Sequence, residues 1–177
     1  GQYSAYEKNN QITGNKFKDQ VSYGMFLLYQ DSALISENEI LNTSSDNEYY
    51  GIYFNSKNSL ISKNRININT DNSAHTGLYF QSEANISILS NNFIHVTRGT
   101  GMKLYNGKVY HNSVYISGDN IYSSAVVMKN TSDNACDFKN NIVQNNAGGK
   151  AIDFGSTALP GVISDYNNLY SNGEYLA

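Results

Sequence analysis

Phe26, Tyr53 and Tyr79 share one local setting. Each follows a small residue and an aliphatic one: Gly24-Met25-Phe26, Gly51-Ile52-Tyr53 and Gly77-Leu78-Tyr79. In an extended chain, neighbouring side chains point to opposite faces, so each ring lies opposite the aliphatic residue before it. If the three segments are aligned strands, about 4.8 Å apart, their rings form a flat exposed strip. The C–H faces of sugar rings pack on such a strip, while amide and ammonium groups bond to hydroxyls. Asn55, Gln81, Lys103 and Tyr105, from the same segments and the next one, supply those groups. An aromatic ladder that only stabilises a sheet accounts for the same residues. Tyr49 and Tyr50 either cover the strip or extend it.

Catalytic chemistry finds less support, and no catalytic residue is assigned. The outward column Phe26, Tyr53, Tyr79, Lys103, Val127, Asp153 offers one base-like residue and one acid, Lys103 and Asp153. Two strand spacings separate them, roughly 10 Å of backbone. His75, His95 and His111 show no metal-ligand spacing; His75 and His111 read as solvated, and His95 as tucked against a wall. Asp46, Glu48 and Asp71 are loop acids, the kind that binds calcium only when clustered, so no metal and no cofactor is expected. Cys136 stands alone, two residues before Phe138 on the same strand face, and reads as a small buried hydrophobe.

The elements that hold these residues follow from a repeat. Gly51 to Ile68, GIYFNSKNSLISKNRINI, reads as one full turn of a parallel β-helix. Gly51 to Phe54 is a strand, Asn55 to Asn58 a polar turn and Ser59 to Lys63 a strand with Ile61 inward. Asn64 is a corner, and Arg65 to Ile68 is a strand with Ile66 and Ile68 inward, all with the period of two that half-buried strands require. The corner falls on Asn, which tolerates the left-handed conformation. The pattern apolar-x-x-Asn-x-apolar recurs at Asn15, Asn38, Asn64, Asn91, Asn112 and Asn141, at spacings of 23, 26, 27, 21 and 29 residues. Such periods mark solenoids. The pattern small-apolar-x-apolar runs in phase with it from Gly24, Gly51, Gly77, Gly101, Ala125 and Ala151. Met25, Ile52, Leu78, Met102, Val126 and Ile152 are then inward, followed by Leu27, Phe54, Phe80, Leu104, Met128 and Phe154. Length variation falls in the connection before each of these strands, where insertions into a solenoid collect.

The expected fold is therefore all-β, a right-handed parallel β-helix of six to seven coils in one domain. Regular coils run from about 10 to 154, and a less regular stretch from 155 to 177. Pro160 breaks the register, and SDYNNLYSNG holds one more corner, at Asn167 or Asn168. Composition agrees. Asparagine accounts for 27 of 177 residues, which favours turns over helix interiors. The net charge of -3, with Arg65 and Arg98 the only arginines, argues against a nucleic-acid partner. No run is apolar and long enough to span a membrane.

The Asn corners and the strands GIYF, GLYF and GMKL resemble the right-handed parallel β-helix, or pectin-lyase-like, superfamily, over roughly residues 10 to 154. The tail SDYNNLYSNG resembles a segment common in long secreted proteins of Bacteroidetes. The resemblance implies an internal amide ladder at the corners, substrate lying beside the first strand of each coil, and a secreted or cell-surface bacterial protein of which this chain is a fragment. Superfamily members include polysaccharide lyases, glycoside hydrolases, tailspikes and adhesins, so contact with polysaccharide is implied by analogy. Asn69-Thr70-Asp71 resembles one element of the polygalacturonase pattern, but the other elements are missing. Three functions compete: a polysaccharide-binding module, a fragment of a lyase or hydrolase, and an adhesin stalk. Bare coil ends are further expected to associate end to end.

Overall fold

The structure, a computed structural model, describes residues 5–44, 47–83, 87–129, 136–155 and 161–177. Asp46 and Pro160, which entered the reading above, lie outside the described residues. Among the described residues, the chain winds into three parallel walls, each of seven strands, in which every strand between the two ends pairs with its counterparts one coil earlier and one coil later. The first wall consists of Glu7–Lys8, Tyr23–Asp31, Tyr50–Lys57, Thr76–Ser82, Thr100–Leu104, Ser124–Met128 and Lys150–Asp153. The second consists of Gln11–Thr13, Leu34–Ser36, Leu60–Ser62, Ile88–Ser90, Gly107–Tyr110, Cys136–Lys139 and Val162–Asp165. The third consists of Lys16–Lys18, Glu39–Asn42, Arg65–Ile68, Phe93–Val96, Ser113–Ile116, Ile142–Asn145 and Asn168–Ser171. This is the expected right-handed parallel β-helix.

Inside the tube, like side chains stack coil upon coil. Ile52, Leu78, Met102 and Val126 are buried in register on the first wall, and the rings of Phe54 and Phe80 stack with centroids 6.3 Å apart. Ile35, Ile61, Leu89, Val109 and Phe138 line the second wall, and Ile40, Ile66, Ile94, Val114 and Val143 the third. Glycine or alanine is the second residue of six first-wall strands, and at the glycines neighbouring atoms leave no room for a side chain. A β-carbon on Gly77 would stand 2.5 Å from Ile94 Cγ2 and 2.6 Å from the Gly101 carbonyl oxygen. In one respect the turn at Gly51 differs from the expectation. The strand continues through Asn55 to Lys57, and the bend is confined to Asn58, at φ 52°, and Ser59.

The connections explain how the coils stay in register. Between the second and third walls the link is two residues at every coil. The other two links vary. Besides the expected third-to-first link, the first-to-second link also changes length, from Lys57–Leu60 to Met128–Cys136.

In the constant link the second residue is always asparagine: Asn15, Asn38, Asn64, Asn92, Asn112, Asn141 and Asn167. Each one up to Asn141 donates its backbone N–H and its side-chain Nδ2 to the Oδ1 of the next, at 2.9–3.1 Å. Five of them, Asn38, Asn64, Asn92, Asn112 and Asn141, are almost fully buried. Such a chain satisfies donors that the bend removes from the strand ladder.

Two expectations are corrected here. The fourth rung is Asn92, not Asn91, so Leu89 and Ile94 face inward while Phe93 is 45% exposed. The left-handed residue is also not the rung itself but the one before it: Gly14, Glu37, Lys63, Asn91, His111, Asn140 and Tyr166 all have positive φ. The rung must keep extended geometry to point its amide along the axis, so its predecessor takes the bend, at a cost of about 1–2 kcal/mol for a non-glycine residue. The unassigned corner in the tail is Asn167.

Cys136 is buried, and burial pushes its thiol from an ordinary 9.0 up to about 12. Burial likewise raises Tyr49 to about 12. Both groups are held neutral in the fold and ionise more easily once it opens. Stability is therefore full below pH 9 and declines as the pH climbs through the interval from about 9 to 12. Urea unfolding midpoints measured from pH 7 to 11 should fall above pH 9, and a Cys136→Ala variant should show less of the early decline. A flat profile in the parent chain would contradict the burial of these groups.

Candidate aromatic face

The outer face of the first wall carries the residues singled out for sugar contact. Phe26, Tyr53, Tyr79, Lys103, Val127 and Asp153 form one column, in register from coil to coil. Beside it, Leu28, Asn55 and Gln81 form a second column, and Tyr105 places its ring 5.1 Å from that of Tyr79. All seven candidate residues thus share a face. The alternation of Ile52-Tyr53-Phe54 and Leu78-Tyr79-Phe80 dictates this, because the aliphatic and Phe side chains fill the tube and leave the Tyr no other side.

A third column runs through Tyr23, Tyr50, Thr76, Thr100, Ser124 and Lys150. Tyr23 escaped the sequence reading, although it precedes Gly24 just as Tyr50 precedes Gly51. Tyr50 extends the patch, stacking on Tyr23 at 5.5 Å and standing edge-on to Tyr53 at 5.4 Å. Tyr49 does neither job expected of it. It is fully buried, packed edge-to-face on His75 at 6.2 Å. His75 is 1% exposed, a correction to its reading as solvated. The turn that carries it folds inward, so its ring joins Tyr49 under the third-to-first link. His111 is exposed as expected.

Six aromatic rings meet on this face, but they do not lie flat. Tyr53 and Tyr79 stack face to face at 4.1 Å, with planes 6° apart, so both rings stand on edge. Tyr79 is only 8% exposed, not part of an exposed strip. Its hydroxyl donates to Gln81 Oε1 at 3.3 Å, and Lys103 Nζ lies 5.8 Å from its ring centre. Burial, followed by the hydroxyls of Tyr105 and Tyr53, raises its phenol pKa far above the ordinary value. Phe26 and Tyr23 are the rings most open to solvent, at 50% and 39%.

The patch opens onto a shallow polar groove of about 400 Å³ along the same face, lined by Tyr50, Glu48, Lys103, Tyr122, Lys129 and Asp153 among others. Tyr50 donates to Glu48 at 2.6 Å, and burial with that bond raises the Tyr50 phenol pKa. Lys103 and Asp153 do share this groove, but Lys150 already binds the Asp153 carboxylate at 3.2 Å. Among the described residues, no three of His, Cys, Asp and Glu converge as metal ligands. His95 sits on the third wall with its ring held by Asn67 and Ser117. Asn69, Thr70 and Asp71 line a separate polar depression with Thr43 and Ser44, away from the aromatic face. Among the described residues, no helix is long and apolar enough to cross a membrane.

The profile of a family described as right handed beta helix region matches residues 3–175. No curated protein and no solved structure matches the chain.

Proposed function

The chain belongs to the right-handed β-helix region family, and from that architecture we propose a non-catalytic module of a secreted or cell-surface protein that contacts polysaccharide through the outer face of its first wall. The observation that carries this reading is the gathering of six aromatic rings on one outward face that continues into a polar groove. Phe26 and Tyr23 offer ring surface to sugar C–H groups, and Asn55, Gln81, Lys103 and Tyr105 offer hydrogen bonds. Tyr53 and Tyr79 act mainly as the rigid support beneath them. Rigid rings lose little entropy on binding, which favours affinity.

A glycan array followed by titration of the best ligand tests the proposal. Phe26→Ala and Tyr53→Ala should each weaken binding about tenfold, or roughly 1.4 kcal/mol. Affinity that survives both changes would remove the face from consideration. The second reading, a supporting ladder without a ligand, is favoured by the 4.1 Å stack of Tyr53 on Tyr79. It expects Tyr53→Ala to lower the melting temperature and the array to stay blank.

A further inference from the structure

The outer face of the third wall holds a second feature that owes nothing to the aromatic face. Phe93, Ser113 and Ile142 occupy one outward column in three successive coils. Two large apolar side chains thus flank a small one. Phe93 is 45% exposed and Ile142 55%, and the gap above Ser113 is a notch of about 400 Å³. Tyr115 and Gln144, from the next column, form its rim.

The rim is fixed in place. Gln144 Nε2 donates to Asn146 Oδ1 at 3.0 Å, and Asn146 Nδ2 reaches the Tyr115 hydroxyl at 3.4 Å. His95 stacks on the Tyr115 ring at 5.3 Å and is itself held at both ring nitrogens, by Asn67 and Ser117. Arg65 lies over the Phe93 ring at 5.9 Å. Among the described residues, the Ser113 hydroxyl and Gln144 Oε1 have no partner. No residue that lines the notch carries a charge.

We infer that this notch is a binding site for a single neutral pyranose ring, distinct from the first-wall face. The jaws stand two strand spacings apart, about 10 Å. A ring held midway lies about 5 Å from each, the separation at which ring faces pack. The apolar jaws suit the C–H faces of a sugar, and the spare hydroxyl and amide oxygen suit its equatorial hydroxyls. No charged residue lines the notch, and the nearby Arg65 is held over the Phe93 ring from the adjoining coil, so the lining suits neutral sugar residues. An aromatic side chain of a protein partner would satisfy the jaws but leave the polar floor unpaired.

The test uses the full chain carrying Phe26→Ala and Tyr53→Ala, so that first-wall contacts do not mask the notch. Cellohexaose, xylohexaose and mannohexaose, with N-acetyl-tyrosinamide as the aromatic alternative, are titrated while backbone amide resonances are followed. At least one hexasaccharide should shift Ser113, Tyr115 and Ile142. Ser113→Leu, which plugs the notch from the outer face, should weaken that binding at least tenfold with an unchanged melting temperature, and Phe93→Ala should weaken it comparably. Ser113→Ala, which leaves the notch open but removes its hydroxyl, should weaken binding less than Ser113→Leu does. Binding unaffected by Ser113→Leu, no shift at these residues with any sugar, or shifts with the tyrosine probe alone would each overturn the inference. Because the first-wall contacts are weakened and the shifts are read at third-wall residues, none of these results bears on the first-wall proposal.

Discussion

Replacing Asn92 by Ala should lower the stability of the chain by about 3–5 kcal/mol, whereas Asn91→Gly should leave it nearly unchanged. Asn92 Oδ1 accepts from the backbone N–H and Nδ2 of Asn64, both at 3.0 Å. Its own Nδ2 reaches the carbonyls of Ile61 and Ser90 and the Oδ1 of Asn112. Alanine strands the Asn64 donors and the Ile61 carbonyl in the interior, each at about 1–3 kcal/mol. Asn91 is exposed, with φ 56°, a conformation that glycine adopts without strain. Urea denaturation of the two variants distinguishes the frames directly. Equal losses, or a larger loss at Asn91, would mean that the ladder is assigned to the wrong residue.

Phe80→Ala should cost about 3–5 kcal/mol, the range for an aromatic ring deleted from a packed core. The side chain is fully buried and stacks on Phe54. It also abuts Gly107, where an added β-carbon would stand 2.5 Å from the Phe80 ring. That contact and the φ of 109° at Gly107 show how closely the chain wraps the ring, which leaves little room for collapse into the cavity. Phe26→Ala, on the outer face of the same wall, should cost about 1 kcal/mol or less. Calorimetric melting of both variants checks the inward and outward assignments together, and comparable losses would refute them.

The solenoid, its three walls and five of the six named ladder corners were legible in the sequence, because burial on one face forces an alternation that local pattern reveals. The miss at the fourth corner has a simple cause. In ISILSNNFIHV both Ile88-x-x-Asn91-x-Phe93 and Leu89-x-x-Asn92-x-Ile94 fit the motif. His95 held the deciding signal, since the first frame would turn it into the apolar tube and the second turns it out. The left-handed residue was misplaced because conformational preference pointed to Asn. Hydrogen bonding ruled instead: the amide is worth more as a buried rung than as a tolerant bend.

The candidate face was legible as columns but not as a surface. Alternation tells which side a ring leaves the strand, not whether it lies flat. Tyr53 and Tyr79 stand on edge because parallel strands bring like rings within stacking distance, a cross-coil effect that no single segment encodes. His75 was hidden for a related reason. Its turn has no periodicity, and only the packing of Tyr49 beneath it reveals its burial.

The unvarying two-residue bend between the second and third walls also bears on how such a molecule changes over generations. A single-residue insertion there would throw one strand out of phase and break the row of amides above and below it. A duplication or loss of a whole circuit would not, since each circuit ends on the same amide with which it began. Lengthening by entire circuits is therefore the mutational step that this architecture accepts most readily, and the two variable bends are where new surface can be added without disturbing the spine.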